Sequence, residues 1–214
     1  MTQPKYKVTY ISNSCGNTDE LSNQPHESVA QSLYNLLINH KEVTHPVIGI
    51  EGSWGSGKSQ VINILQRIIK EEDKTDKFCF YFTGIYQGTK KEQLGEFKRQ
   101  LEYYSKKKWT LAKDWFDAFA QLREYLEMLE GDDSLIVFLD ELPWMDTQKS
   151  RFVKAFEYFW NSWGATNNRL KFIVCGSATT WMRENVLSDK GGLYNRTTRS
   201  IYLAPFTLYE TEQY

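Results

Sequence analysis

The chain has 214 residues, of which 41% are apolar and 25% are charged, and its formal net charge is −1. This balance is typical of a one-domain globular protein and excludes a disordered or fibrous chain. A net charge near zero makes nucleic acid an unexpected partner, and no apolar run approaches the roughly 20 residues of a membrane span. The polar N-terminus lacks the apolar stretch of a signal peptide, and the 3 cysteines show no paired spacing. We therefore expect a cytoplasmic protein without a membrane partner.

Two patterns of apolar residues alternate along the chain. Short continuous apolar runs predict buried strands, and apolar residues repeated every three or four positions predict amphipathic helices. Strands alternating with helices predict a mostly parallel five-stranded sheet covered on both faces, which is a three-layer α/β/α fold. In chain order we predict a polar lead-in over 1–26 and then a single domain over 27–214. This domain holds a helix from 27, a strand at 47–50, a helix at 59–70, a strand at 78–82, two helices around 94–104 and 115–129, a strand at 135–139, a helix at 150–163, a strand at 170–175, a short helix near 180–186 and a fifth strand at 200–203.

The first predicted strand leads into a glycine-rich loop, Gly52 to Ser59, which fits G-x-x-x-x-G-K-[ST] at every fixed position. Glycines allow backbone conformations that turn successive amide N–H groups toward phosphate oxygens, and the following helix adds its positive end. Lys58 is predicted to reach the β and γ phosphates, and the Ser59 hydroxyl to bind Mg²⁺. The alternative is a turn that binds nothing, but the strand before it and the helix after it favour nucleotide binding. The predicted binding residues are Gly52, Ser53, Trp54, Gly55, Ser56, Gly57, Lys58, Ser59 and Gln60.

An acidic pair, Asp140 and Glu141, follows the third predicted strand. Ligands gather at the carboxyl ends of parallel strands, so Asp140 is expected near the loop, where it would hold Mg²⁺ through water. Glu141 is expected to orient or deprotonate the attacking water, which favours hydrolysis over binding alone. Such a pair alone is a common surface turn, and only the upstream loop gives it a catalytic meaning. We therefore predict Lys58 and Glu141 as catalytic residues, and Ser59 and Asp140 as metal ligands.

Later polar residues are weaker candidates. Ser177, or as a second choice Thr179, follows the fourth predicted strand and is placed either to sense the γ-phosphate or position water, or to cap a helix. Arg196 and Arg199 precede the last strand, where an arginine either stabilises charge on a γ-phosphate or makes a surface contact. The 3 histidines support no metal or general-base site, because they show no ligand spacing: His26, His40 and His45.

The quoted residues resemble two related groups of P-loop NTPases. Residues 27–70, with Ile48 to Ser59 and its Trp-Gly-Ser segment, are similar to the KAP family. Residues 80–214 resemble the archaeal-type ATPases of the STAND group. The resemblance implies an additional-strand P-loop core with Asp140 and Glu141 as the acidic pair and Ser177 in the sensor region. The stretches that carry it are Phe82-Thr83-Gly84, Lys91-Glu92-Gln93-Leu94, Asp140-Glu141-Leu142-Pro143-Trp144, Cys175-Gly176-Ser177-Ala178 and Leu203-Ala204-Pro205-Phe206.

The chain departs from both groups in places. Its phosphate loop is KAP-like, whereas Leu142-Pro143-Trp144 stands where KAP members carry further acidic residues. Archaeal-type members continue past Phe206 into helical and winged-helix regions, which we expect to be absent here, so that the chain is either a fragment of a longer protein or works without such a lid. The resemblance implies ATP and Mg²⁺ as cofactors, and hydrolysis that switches contacts with a protein partner or a second copy of the chain. ATP is favoured over GTP, since the sequence holds no Asn-Lys-x-Asp segment. Nucleotide binding without hydrolysis and phosphorylation of a small molecule are the alternatives.

Overall fold

The computed structural model describes residues 18–19, 25–39, 47–73, 78–187 and 197–205. The helices are α1 (Pro25–Tyr34, followed by a π-helical turn, Asn35–Asn39), α2 (Lys58–Asp73), α3 (Lys90–Ser105), α4 (Trp115–Glu127), α5 (Leu142–Met145), α6 (Phe152–Ser162, followed by a 3₁₀ turn, Gly164–Thr166) and α7 (Thr179–Met182, followed by a π-helical turn, Arg183–Leu187). The strands are β1 (Val47–Glu51), β2 (Phe78–Thr83), β3 (Leu135–Asp140), β4 (Leu170–Gly176) and β5 (Thr197–Tyr202). Within these ranges no helix has the length and apolarity needed to cross a membrane.

The five strands form one parallel sheet in the order β2-β3-β4-β1-β5. One strand, β4, therefore lies between β1, which precedes the glycine-rich loop, and β3, which ends in the acidic pair. The predicted α/β class with an additional strand is confirmed. The last strand begins at Thr197, three residues before the predicted start, and α1 begins at Pro25 rather than 27.

Both faces of the sheet are covered, because successive residues of a strand point to opposite sides. In β3, Leu135, Val137 and Leu139 join a large core with residues of α3, α4 and α6. Ile136 and Phe138 join a second core with residues of α1 and α2. All six residues of β3 are buried, which explains why the first five form a continuous apolar run rather than an alternating one.

An ion pair fixes α1 to α2 on the second face. The guanidinium nitrogen Nη2 of Arg67 donates to both carboxylate oxygens of Glu27 at 2.5 and 2.7 Å. Nη1 of the same side chain donates to Glu71 at 3.0 Å, one turn further along α2. These carboxylates raise the pKa of Arg67, with the hydrogen bond to Glu27 as the largest cause. The pair therefore fixes the position of the first turn of α1 relative to α2.

Two tyrosines make the stability of the fold depend on pH in the alkaline range. Burial raises the pKa of Tyr81 and of Tyr125 to about 12, above the usual 10.0. A raised tyrosine pKa means that the folded state favours the neutral phenol. This stabilisation is fully present below pH 10 and is lost as the pH rises toward 12. We expect the free energy of unfolding, measured by urea denaturation, to fall over this range, and to fall less steeply in Tyr81→Phe. Equal slopes in the two proteins would contradict this prediction.

Candidate functional site

Three strands bring the predicted site residues to one edge of the sheet. In the register of the sheet Glu51 pairs with Gly176, and Leu139 pairs with Val174, so β1, β3 and β4 end together. The segments that follow these strands are the glycine-rich loop, the acidic pair and the segment containing Ser177. All three therefore leave the sheet at its carboxyl edge, as the sequence predicted.

The glycine-rich loop has the backbone that its sequence predicts. Gly55 and Gly57 have φ values of 79° and 83°, a region that side chains disfavour, and α2 begins at the next residue, Lys58. The ammonium group of Lys58 donates to the carbonyl oxygens of Gly52 at 2.7 Å and Ser53 at 2.9 Å. A buried lysine is thus held against the loop backbone at the N-terminus of a helix, which together form a positively polarised site.

Side chains of the loop point in different directions. The Ser56 hydroxyl is buried and has no hydrogen-bond partner among the described residues, so the loop contains a polar atom suited to an added ligand. Ser59 is exposed. Trp54 is 76% exposed, with its ring centroid 6.0 Å from that of Trp144, so its indole lies on the surface. Gln60 donates to the Thr18 carbonyl at 2.9 Å.

The acidic pair is buried at the end of β3. One carboxylate oxygen of Asp140 accepts the backbone N–H of Glu141 at 2.9 Å. Burial raises the pKa of Asp140, and the neighbouring Glu141 adds to the shift. The Cys175 thiol, the Glu141 N–H and Lys58 act in the opposite direction. A carboxylate in this position favours a nearby cation, because positive charge would offset both burial and the adjacent carboxylate.

Ser177 is placed against Glu141. The Oε2 atom of Glu141 accepts the Ser177 backbone N–H at 3.0 Å and the Ser177 hydroxyl at 2.8 Å. Glu141 itself has a φ of 51°, in the left-handed region, so its backbone is strained. The candidate sensor and the candidate base therefore contact each other, and Ser177 sets the orientation of the Glu141 carboxylate.

The donor set fits a hydrated Mg²⁺ better than a metal held by protein alone. Ser59 offers a hydroxyl and Asp140 a carboxylate, which are the oxygen ligands that Mg²⁺ prefers. In the part of the chain that the structure describes, no group of three or more His, Cys, Asp or Glu side chains could hold a metal ion. The remaining ligands of a Mg²⁺ ion here would be phosphate oxygens and water.

Of the remaining weaker candidates, two lie in other elements and one lies outside the described residues. Thr179 is the first residue of α7, and Arg199 is an exposed residue of β5 that pairs in register with Ile48. Arg196 lies outside the described residues. A different arginine contacts this edge: the Nε atom of Arg183 lies 3.5 Å from the carboxylate of Glu51, directly before the loop.

Two further side chains lie at this edge, and the sequence did not predict a role for either of them at the site. His26 is 4% exposed, and its Nε2 atom lies 3.3 Å from the Ser56 carbonyl oxygen. Gln93 is fully buried, accepts the Ile85 N–H and donates to the carbonyls of Ile85 and Trp144 at 2.7 and 2.8 Å. The only sequence signal for Gln93 was its place in a stretch that resembles the archaeal-type ATPases. Nothing marked His26, because its partner is 30 residues away.

This strand order, a glycine-rich loop between β1 and a helix, and a buried aspartate at the end of β3 define the fold of a P-loop NTPase. Residues 26–113 match the KAP family P-loop domain. The match confirms the KAP-like character predicted for 27–70 and extends it through α3. No curated protein matches the sequence.

Solved structures of P-loop ATPases share the fold. The Walker-type ATPase PABY2304 of Pyrococcus abyssi has a TM-score of 0.50 and 15% identity, covering 90% of this chain and 57% of that one. Cdc6p from Pyrobaculum aerophilum has a TM-score of 0.58 and 18% identity, covering 95% of this chain and 49% of that one. The Aeropyrum pernix ORC1 protein, solved in complex with DNA, has a TM-score of 0.59 and 11% identity, with 90% and 47% coverage. The chain spans about half the length of these proteins, and identities this low support the fold alone.

Proposed function

We propose that this chain binds MgATP in the loop from Gly52 to Ser59 and hydrolyses the β–γ phosphoanhydride bond. Glu141 acts as the base that takes a proton from the attacking water. The observation that carries the proposal is the meeting of a positively polarised loop with a buried Asp140-Glu141 pair at one edge of a parallel sheet. An anion site alone fits many ligands, whereas an anion site beside two carboxylates fits a phosphate that arrives with a cation.

Binding uses groups that the loop already presents. The Lys58 ammonium is held by two carbonyl oxygens, which are neutral acceptors, at 2.7 and 2.9 Å. Phosphate oxygens are charged and make stronger hydrogen bonds with an ammonium than carbonyls do. The buried Ser56 hydroxyl and the amides at the start of α2 supply further donors. The exchange of carbonyl for phosphate partners on Lys58 therefore favours the bound state.

Hydrolysis depends on the position of the Glu141 carboxylate. Ser59 and Asp140 would hold Mg²⁺, which would supply positive charge to the phosphate oxygens. Glu141 is the second carboxylate at this edge, and its Oε2 atom is held by two hydrogen bonds from Ser177. These bonds position the carboxylate. Ser177 directly follows β4, the strand between β1 and β3, and it thus links the phosphate-loop side of the sheet to the base.

The biological role that follows is a conformational switch acting on a protein partner or on a second copy of the chain. The charge of the chain argues against nucleic acid as a partner. The ORC1 match was solved in complex with DNA. This chain, however, has a net charge of −1, and binding to phosphodiester backbones depends on clustered positive charge.

The test of nucleotide binding is calorimetric titration of the purified chain with ATP and GTP, with and without Mg²⁺. We expect wild-type protein to bind MgATP and Lys58→Ala to bind it about 10- to 100-fold more weakly, because hydrogen bonds from a charged donor contribute about 1.5–3 kcal/mol. Lys70→Ala is the matched control, since Lys70 is an exposed lysine in the last turn of the same helix. Folded protein that binds no Mg-nucleotide, or equal affinity in Lys58→Ala, would refute the proposal.

A further inference from the structure

We infer that His26 is a positioning residue that orients the Gly57 amide of the phosphate loop toward the bound triphosphate. Through Asp19, His26 also ties the loop to the segment before α1. The inference rests on the proposed function and assigns a role to a buried histidine that the sequence pattern leaves without one.

His26 fills one side of the loop. It lies in the first turn of α1, is 4% exposed, and its Nε2 atom is 3.3 Å from the Ser56 carbonyl oxygen. A Cβ atom added to Gly57 would lie 2.2 Å from Nε2 and 2.6 Å from Cε1 of the same ring. The imidazole therefore occupies the space that a side chain at position 57 would need. A phosphate group can approach Gly57 only from the other side.

The contact with Ser56 fixes a peptide plane. A carbonyl oxygen only accepts hydrogen bonds, so Nε2 of His26 carries the proton in this contact. In a trans peptide the carbonyl of one residue and the N–H of the next point in opposite directions. Holding the Ser56 carbonyl toward His26 therefore directs the Gly57 N–H away from the imidazole, to the side that a phosphate can reach. The same bond supports the positive φ of Gly57.

The histidine is itself held in place. The Oδ2 atom of Asp19 accepts the backbone N–H groups of His26 at 2.7 Å and Glu27 at 3.2 Å, which caps the first turn of α1. The same oxygen lies 4.0 Å from Nδ1 of the imidazole, and the Asp19 side chain is fully buried. One residue earlier, the Thr18 carbonyl accepts from Gln60 in the first turn of α2. Residues 18–19 thus contact both α1 and α2, and His26 links these residues to the backbone of the phosphate loop.

Two substitutions at position 26 separate hydrogen bonding from packing. His26→Phe keeps a ring but has no donor, whereas in His26→Gln the side-chain amide can place an N–H near the position of Nε2. We expect His26→Phe to weaken MgATP binding about tenfold in calorimetry, and His26→Gln to stay within about threefold of wild type. Ala30→Gly is the control, because it weakens α1 at a buried position one turn beyond His26. It should lower stability in urea and leave the affinity unchanged.

A readout without nucleotide tests the orientation directly. The amide proton and nitrogen chemical shifts of Gly57, measured by NMR on the full chain, should move in His26→Phe and stay in place in Ala30→Gly. An unchanged Gly57 resonance in His26→Phe, or equal MgATP affinity in His26→Phe and wild type, overturns the inference. Wild-type protein that binds no Mg-nucleotide instead overturns the proposed function, so the two failures are distinguishable.

Discussion

Replacing Glu141 by Gln is expected to lower the turnover number for ATP hydrolysis about 100- to 1000-fold, because a general base contributes rate factors of this size. The amide oxygen of Gln can still accept the two hydrogen bonds from Ser177, so the geometry of the segment is kept while the basic oxygen is lost. Affinity for MgATP should stay within about threefold of wild type, since the change removes a group that acts on water. The measurements are steady-state phosphate release and calorimetry.

A matched control for this substitution is Glu130→Gln, which makes the same chemical change at an exposed position. Its phosphate release should equal that of wild type. Unchanged release in Glu141→Gln would remove Glu141 from the role of base. Wild-type protein that binds MgATP without releasing phosphate would favour the nucleotide-dependent binding module, and ADP formation that requires an added acceptor would favour a kinase.

A large loss of stability is expected when Trp115 is replaced by Ala. Trp115 is fully buried in the larger core, where its ring centroid lies 5.0 Å from Phe152, 5.7 Å from Phe97 and 6.2 Å from Phe82. Trp115→Ala should lower the free energy of unfolding by about 3–5 kcal/mol, because it removes these contacts and leaves a cavity. Urea denaturation followed by circular dichroism measures the loss.

Trp115→Phe gives the comparison for this prediction. The indole Nε1 atom of Trp115 is buried and has no hydrogen-bond partner among the described residues. The indole therefore contributes through packing and carries the cost of an unmade hydrogen bond. We expect the Phe variant to lose about 1 kcal/mol, well below the Ala variant. Equal losses in the two variants, or a loss below about 1 kcal/mol in Trp115→Ala, would show that this core does not depend on the ring.

Much of the fold could be predicted because its strands are buried on both faces. Leu135 to Leu139 is apolar at every position, and such a run between helical patterns predicts an inner strand of a parallel sheet. Periodicity contains no information on strand order, so only the resemblance to an additional-strand P-loop core pointed to a strand between β1 and β3. The helix α5 was missed because four residues are too few for a helical repeat.

The candidate site also has features that the sequence predicts and features that it does not. Asp140, Glu141 and Ser177 could be placed at the edge of the sheet, because each follows a recognisable strand. The acceptor of the Ser177 hydroxyl could not be predicted. It depends on distances in the folded protein, and the spacing of residues in the sequence contains no information on them. The contact between His26 and Ser56 joins α1 to a loop beyond β1, and local patterns contain no signal for it.

Gln93 has a consequence for how movement at the site would spread. Its fully buried amide is bonded both to Ile85, after β2, and to Trp144, three residues beyond Glu141. A buried amide that loses such partners destabilises the protein by about 1–3 kcal/mol per unsatisfied group, so these segments resist separation. Any shift of the Glu141 segment would therefore be passed to α3 through the Gln93 amide.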